Sequence, residues 1–424
     1  MLVQRDRAAL VTTVGARRGA SVGRRRVLVI VQNLPVPLDR RVWLECRALV
    51  QAGYQVSVIC PKGPGDPSFQ VLESVRIRKY RPPPKTSGPL SYALEFVYCW
   101  VRTALLALRA LTREGFDVVQ ACNPPDTYWA LALPLKLLGK KFVYDQHDLC
   151  PEVYMSRFVA ENGFLLSALR QLERACYRYA DHVISTNESY RRVALERGRL
   201  QAEDVTVVRS GPDSKVMRRG AAQLELKRNR RFLAVYLGIM GPQDGVDILL
   251  RAIKILVHER GQHECTFALL GFGDCLKSLE SLAHDLDLDE WVTFTGRAGP
   301  EMISAYLSTA DIGLSPDPMN PLNDISTMNK TLEYMAFELP VVAFDLTETR
   351  VSAGKAAVYV PPSDPRDYAT AVESLLGDPG RRARMGKLGR QQIEERLGWE
   401  HHASRYVQVY NELYERPRRP RRDH

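Results

Sequence analysis

The stretch VLVIVQNLPVPLDRRVWLECRALVQAGYQVSVIC, residues 27–60, decides the fold. It opens on an unbroken apolar run of strand length, 27–31. Apolar residues then recur at 42, 44, 46, 49 and 50, the spacing of one helix face. Ala52 and Gly53 stop that helix, and 55–60 is a second apolar run. Strands this uniformly apolar are covered on both faces, which predicts a parallel strand–helix–strand unit.

The alternation continues outward. Residues 61–89 are rich in Pro, Gly and Lys, with one strand-like stretch at 75–79. Helical patterns cover 92–112, 128–138 and 166–179, and strands are expected at 117–120, 141–144, 183–185 and 205–208. Residues 212–231 break the pattern. They carry Lys215, Arg218, Arg219, Lys227, Arg228, Arg230 and Arg231 with little apolar content, and read as an interdomain linker. The pattern then restarts, with strands at 232–237, 266–270, 292–294, 312–314, 341–344 and 357–360. Helices at 246–259, 276–286, 301–309, 327–337 and 365–376 separate them, and 381–413 is helical. The reading is α/β: two Rossmann-like domains, 24–211 and 232–395, facing across a cleft at the carboxyl ends of their strands.

Composition fits this. Of 424 residues, 45% are hydrophobic and 25% charged, which excludes wholesale disorder. The net charge of +10 is concentrated at the ends: seven Arg against one Asp in 1–26, and five Arg against two acids in 415–424. The body is close to neutral, so a fold-wide nucleic-acid surface is excluded, and 1–23 and 415–424 read as disordered basic tails. The eight Cys show no metal-binding spacing and read as reduced thiols. No apolar run reaches about 18 residues, and the N-terminus lacks the apolar core of a secretory signal. A cytoplasmic protein is expected.

The segment NDISTMNKTLEYMAFEL, 323–339, carries the chemistry. Ser326 and Thr327 are placed to cap a helix whose free N–H groups favour a phosphate. Asn329 follows, Lys330 lies one turn in, and Glu333 shares its face, in an order that suits a diphosphate and then a ribose diol. His147 follows the strand 141–144. Asp39, Arg40 and Arg41 sit on the loop after the first strand, in reach of a donor or acceptor phosphate. Gly238 and Gly241 belong to the loop after 232–237. The motif GFGD, 271–274, reads as a tight turn beside a nucleotide, and Arg297 follows a strand near the expected base. Asp285, Asp287 and Asp289 form two DxD patterns at a helix end and read as a solvated acidic turn, so no metal is expected.

The run KTLEYMAFELPVVAFD, 330–345, resembles the donor-binding segment of glycosyltransferase family 4, whose members have the GT-B fold. The likeness continues through 291–317, 269–280, 33–61, 116–126 and 144–152, and so spans about 25–412. It implies a retaining transferase that moves a hexosyl unit from a nucleotide-diphosphate sugar to an acceptor hydroxyl, without a cofactor. The donor would lie on the second domain, contacting Gly238, Gly241, Arg297, Ser326, Thr327, Asn329, Lys330 and Glu333. The acceptor would lie on the first. His147, Lys330 and Glu333 would carry catalysis, and a helix at 396–414 would cross back to the first domain.

Two departures mark this chain. The first Glu of the family's pair would fall at Ile325. The loop that usually carries Arg and Lys reads GIMGPQDGVD, 238–247, as in a bacterial branch with an MGPQDG loop and an NK-x-x-E helix. A nucleotide-sugar 2-epimerase of the same architecture, or a degenerate sugar-nucleotide-binding subunit, are the alternatives. The Arg-rich ends further suggest peripheral attachment to an anionic inner membrane face, with a lipid-linked or oligosaccharide acceptor in polysaccharide or cell-envelope assembly.

Overall fold

A computed structural model describes residues 25–83, 89–157 and 163–415. The tail expected at 1–23, and all of 415–424 but Glu415, lie outside these residues.

The first half contains β1 (Arg26–Ile30), β2 (Gln55–Pro61), β3 (Phe69–Leu72), β4 (Val75–Tyr80), β5 (Val118–Cys122), β6 (Lys141–Gln146), β7 (His182–Ser185) and β8 (Val205–Val207). They form one sheet in the order β3-β4-β2-β1-β5-β6-β7-β8, parallel except for the β3–β4 hairpin. Its helices are α1 (Arg40–Gln51), α2 (Pro89–Arg113), α3 (Trp129–Leu137), α4 (Cys150–Arg157), α5 (Gly163–Tyr179) and α6 (Glu188–Gly198).

The second half contains β9 (Phe232–Ile239), β10 (Cys265–Phe272), β11 (Val292–Gly296), β12 (Ile312–Ser315), β13 (Val341–Phe344) and β14 (Ala357–Val360). They form a fully parallel sheet in the order β11-β10-β9-β12-β13-β14. Its helices are α7 (Val246–Lys254), α8 (Leu276–Asp285), α9 (Pro300–Thr309), α10 (Asn329–Ala336), α11 (Thr347–Ala353), α12 (Pro365–Gly377) and α13 (Pro379–Gln392). The last, α14 (Trp399–Glu415), follows them.

Alternation along β1 explains its continuous apolar run. Val27 and Val29 enter the core beneath α1 and α14, while Leu28 and Ile30 enter the core beneath α2, α3 and α5. In each sheet the strand order reverses at one place, beside β1 and beside β9, and there the loops leaving the carboxyl ends diverge. Those are the loops 31–39 and 240–245.

Residues 212–231 are exposed along most of their length but are anchored to the second half at a few points. Lys227 pairs with Asp311 at 2.8 Å, the Gly220 N–H donates to Ser308 Oγ at 2.9 Å, and Met217 and Leu226 pack on the second core. The chain crosses between the halves twice, at adjacent points. The Trp399 N–H donates to the Pro212 carbonyl at 2.9 Å. A Cβ on Gly211 would lie 1.9 Å from the Leu397 carbonyl oxygen, so only glycine fits that crossing. Beyond it, α14 lays Trp399, Tyr406, Val409, Tyr410 and Leu413 into the core shared with α1, β1 and β2.

Candidate active site

Asp39 does not reach toward a ligand. Its Oδ1 accepts from the Val42 N–H at 3.1 Å and caps α1, the ordinary task of an aspartate in that place. Arg40 and Arg41 then diverge by about 100° around the helix. Arg40 is half-exposed and crosses the cleft to pair with the buried Glu333 carboxylate.

Arg41 turns inward, contrary to its expected place in a phosphate loop. Its guanidinium is buried and donates to Asp145 Oδ1 at 3.0 Å, the Val208 carbonyl at 2.8 Å and Ser210 Oγ at 2.9 Å, with Glu45 Oε1 3.0 Å from its Nε. Sequence reasoning missed Glu45. The readable signal was Arg41 and Glu45 at i,i+4 alongside the inward stripe of Val42, Cys46 and Leu49.

His147 belongs to the same network. Its Nε2 bonds Asp145 Oδ2 at 2.8 Å, and its backbone N–H donates to Asn123 Oδ1 at 2.6 Å. Burial pulls the imidazole pKa down, but the Asp145 carboxylate outweighs this and raises it above its ordinary value. Burial pushes the Glu45 carboxyl up to about 8, while Arg41 holds Asp145 below the carboxylate range against its own burial. Gln120 Nε2 donates to Glu45 at 2.9 Å and Asp145 at 2.7 Å, and its oxygen accepts from Tyr406 at 2.6 Å and from Tyr410. Thus α14 closes the network from behind.

Donor atoms of Glu45, Cys122, Asp145 and His147 lie within 4.8 Å of one another, as metal ligands would. The Arg41 guanidinium, 3.0 Å from both carboxylates, already occupies the position of the cation.

On the second half, α10 starts at Asn329, not at 327. Its N-cap residue is Met328, which offers no side-chain bond. The hydroxyls of Ser326 and Thr327 therefore do not cap it. Tyr190 OH meets Ser326 Oγ at 2.8 Å, and Thr327 Oγ1 accepts from Asn187 Nδ2 at 3.1 Å and from Arg209 at 3.4 Å. Both residues fasten the two halves together. Asn329 is exposed at the uncapped helix start.

Lys330 is buried, paired with Asp317 Oδ1 and lying 4.9 Å from the Tyr236 ring centroid. Burial pulls its pKa down, but Asp317 and then Asp244 raise it above the usual lysine value, so it stays charged. Gly238 lies against it: an added Cβ would stand 3.1 Å from Lys330 Cε. The Gly241 N–H donates to Asp244 Oδ2 at 2.8 Å, and burial pushes the Asp244 carboxyl up to about 6. Asp324, beside the missing Glu at Ile325, is spent on α11, accepting from the Thr347 N–H at 2.8 Å.

Gly273 permits a close loop crossing, since its Cβ would stand 2.4 Å from the Met240 carbonyl oxygen. Arg297 is not drawn to the α10 group; its guanidinium lies 4.1 Å over the Phe272 ring, on the edge-strand side. Asp285, Asp287 and Asp289 are exposed at the end of α8, before β11 and therefore at the edge away from the cleft.

The structure thus brings Gly238, Asp244, Asp317 and Lys330 together beside the α10 start, and joins Glu333 to Arg40. His147 and Arg41 form a separate buried group in the first half. Two facing Rossmann-like sheets with an uncapped helix start, a lysine and a carboxylate at the cleft are the arrangement of a GT-B glycosyltransferase.

Comparison with known proteins agrees. The model of "Glycosyltransferase Family 4" matches residues 38–216, and that of "Glycosyl transferases group 1" matches 231–378. Together they cover more than half the chain, which belongs to glycosyltransferase family 4. A D-inositol 3-phosphate glycosyltransferase of Thermobispora bispora is 26% identical over 88% of this chain and 89% of its own. A GDP-mannose-dependent alpha-(1-6)-phosphatidylinositol monomannoside mannosyltransferase of Mycolicibacterium smegmatis is 32% identical over 42% of this chain and 47% of its own. Among solved structures, sucrose-phosphate synthase of Thermosynechococcus elongatus superposes with a TM-score of 0.76 at 21% identity, covering 92% of this chain and 100% of that one. HepE of Anabaena, solved with UDP-glucose, gives 0.68 at 16% identity, covering 92% and 100%. These structural likenesses establish the fold.

Proposed function

We propose that this glycosyltransferase moves a hexosyl unit from a nucleotide-diphosphate sugar to an acceptor hydroxyl with retention of anomeric configuration. The observation that carries the reading is α10: an uncapped start, Lys330 in its first turn, and Glu333 about one turn further, at the cleft edge of the second sheet. The free N–H groups and positive end of α10 attract the diphosphate, with Lys330 behind them. Glu333 accepts two ribose hydroxyls once Arg40 leaves it. Arg40 is then a free cation at the cleft, available to a phosphate of donor or acceptor. In the imidazolium that the Asp145 carboxylate favours, His147 Nε2–H donates to Asp145 and Nδ1–H is left for a sugar hydroxyl or the departing phosphate. Catalysis is chiefly positioning and charge stabilisation. HepE, solved with UDP-glucose, supports a nucleotide-sugar donor, and the mannosyltransferase named for a phosphatidylinositol monomannoside supports a lipid-linked acceptor in cell-envelope glycan assembly.

A thermal-shift panel of nucleotide sugars identifies the donor, because a ligand of the native state raises stability by mass action. NMR of the product's anomeric proton then reads retention or inversion. Conversion of donor alone, without an acceptor, would instead mark an epimerase.

Glu333→Gln is expected to weaken donor binding by about one to two decades, the worth of a charge-assisted hydrogen bond. Calorimetry showing unchanged affinity would remove Glu333 from the ribose. Turnover is expected to persist in EDTA. The DxD turn lies at the wrong edge of its sheet, and Arg41 fills the one clustered ligand set among the described residues. Activity lost on chelation and restored by Mg²⁺ or Mn²⁺ would refute that.

A further inference from the structure

Helix α2 is apolar on two opposite sides. One side packs inward: Cys99, Thr103, Ala107 and Ala110 are at most 4% exposed. The opposite side carries Leu94, Val97, Tyr98, Val101, Leu105 and Leu108, spaced by one, three or four, and all six are exposed. At about 100° per residue these six form one stripe, and Arg102, Arg109 and Arg113 fall together along one flank of it. All three arginines are exposed, and none has an ion-pair partner among the described residues. Solitary exposed apolar residues need no explanation, but a continuous stripe beside a row of cations does.

We propose that this outward face of α2 is a docking surface for an anionic lipid bilayer, on which the first half lies with α2 in the headgroup plane. The chemistry is that of an interfacial helix: apolar residues enter the acyl boundary, and arginines meet lipid phosphates. The helix lies on the membrane and does not cross it, since no described helix is long and apolar enough to span and the inner side of α2 is committed to the fold. Charge favours a bilayer over a second copy of the chain, which would bring three more arginines to the same patch.

Position gives the surface a use. Helix α2 follows β4 and returns antiparallel to the parallel strands, so its first turns lie at their carboxyl ends, where the cleft opens. Leu94, Val97 and Tyr98 thus stand at the cleft end of the docking face. An acceptor headgroup rising from the bilayer enters beside them. This last step rests on the lipid-acceptor reading; the docking itself does not.

The test uses the full-length chain and vesicles of phosphatidylglycerol and phosphatidylcholine in equal parts, with cosedimentation at low and high salt. Wild type is expected to bind. The double variant Val101→Glu/Leu105→Glu, altered only at exposed positions, is expected to lose about tenfold or more in affinity with its thermal midpoint unchanged. Arg102→Gln and Arg109→Gln should each cost about fivefold at low salt, and less at high salt. Three results overturn the proposal. The wild type stays in the supernatant; or the double variant binds as wild type does, which assigns binding to the Arg-rich ends; or sedimentation velocity shows a dimer that the double variant splits, which gives the face to a second copy. Docking through α2 combined with transfer only to water-soluble acceptors would retain the surface and discard the lipid-acceptor reading.

Discussion

Arg41→Ala is expected to lower the stability of the protein by about 3–5 kcal/mol, the usual effect of removing one partner from a buried ion pair. The guanidinium stands 3.0 Å from the carboxylates of both Glu45 and Asp145 and also satisfies the Val208 carbonyl and Ser210. Alanine leaves a space where a cation stood and strands Asp145 as a buried charge, with only Gln120 and the imidazole to answer it. Lysine is not an adequate replacement, because a single ammonium cannot reach four acceptors from one fixed fork. Urea unfolding of wild type, Arg41→Ala and Arg41→Lys measures this. An alanine variant within about 1 kcal/mol of wild type would show that the network is a minor element of stability.

Lys330→Met is expected to reduce turnover by roughly two to three decades, as when a preorganised group that stabilises developing charge is removed. The loop 238–247 supplies Gln243 and Asp244 rather than a cation, so the positive charge at the α10 start is that of Lys330, in its first turn. Burial works against its charge and Asp317 sustains it. The single variant also strands Asp317, which confuses a structural effect with a chemical one. Lys330→Met/Asp317→Asn removes the pair as a unit. If the lysine acts on the donor diphosphate, the double variant folds as wild type does and stays slow at saturating donor. If Lys330 only neutralises Asp317, turnover recovers in the double variant.

Much of the architecture is legible in the chain because buried parallel strands are written as plain apolar runs. The runs at 27–31, 55–60 and 232–237 lie in β1, β2 and β9 or extend them by a residue. The helices α4 and α6, 8 and 11 residues long, are harder to read because they have little amphipathic contrast, and α11 because it is only 7 residues long. Strand β3 is exposed along most of its length and carries no core signal.

The site was legible by residue type more than by role. Lys330 and Glu333 lie at the cleft as their spacing suggests. Ser326 and Thr327 have the chemistry of caps, but Asn187, Tyr190 and Arg209, more than a hundred positions away, claim their hydroxyls. Nothing local to 323–339 encodes that competition. Arg40 and Arg41 are neighbours of identical type, and only the helix phase fixed by the Asp39 cap sends one across the cleft and the other into the core.

The return of α14 to the first half has a consequence for the order of synthesis. The Tyr414 hydroxyl accepts from the Arg26 N–H at 2.8 Å, and Tyr406 and Tyr410 complete the polar centre around Gln120. An N-terminal half emerging from the ribosome therefore has its sheet but not its last layer. At about 5–20 residues per second, the roughly 200 residues that separate β8 from α14 take on the order of 10–40 s to translate. Through that interval the Gln120 oxygen lacks its two tyrosine donors, and the core shared by α1, β1 and β2 lacks the apolar residues that α14 adds to it. The enzyme completes its first half only when its final helix is released, so a truncated chain, ended before 399, is left with an open core.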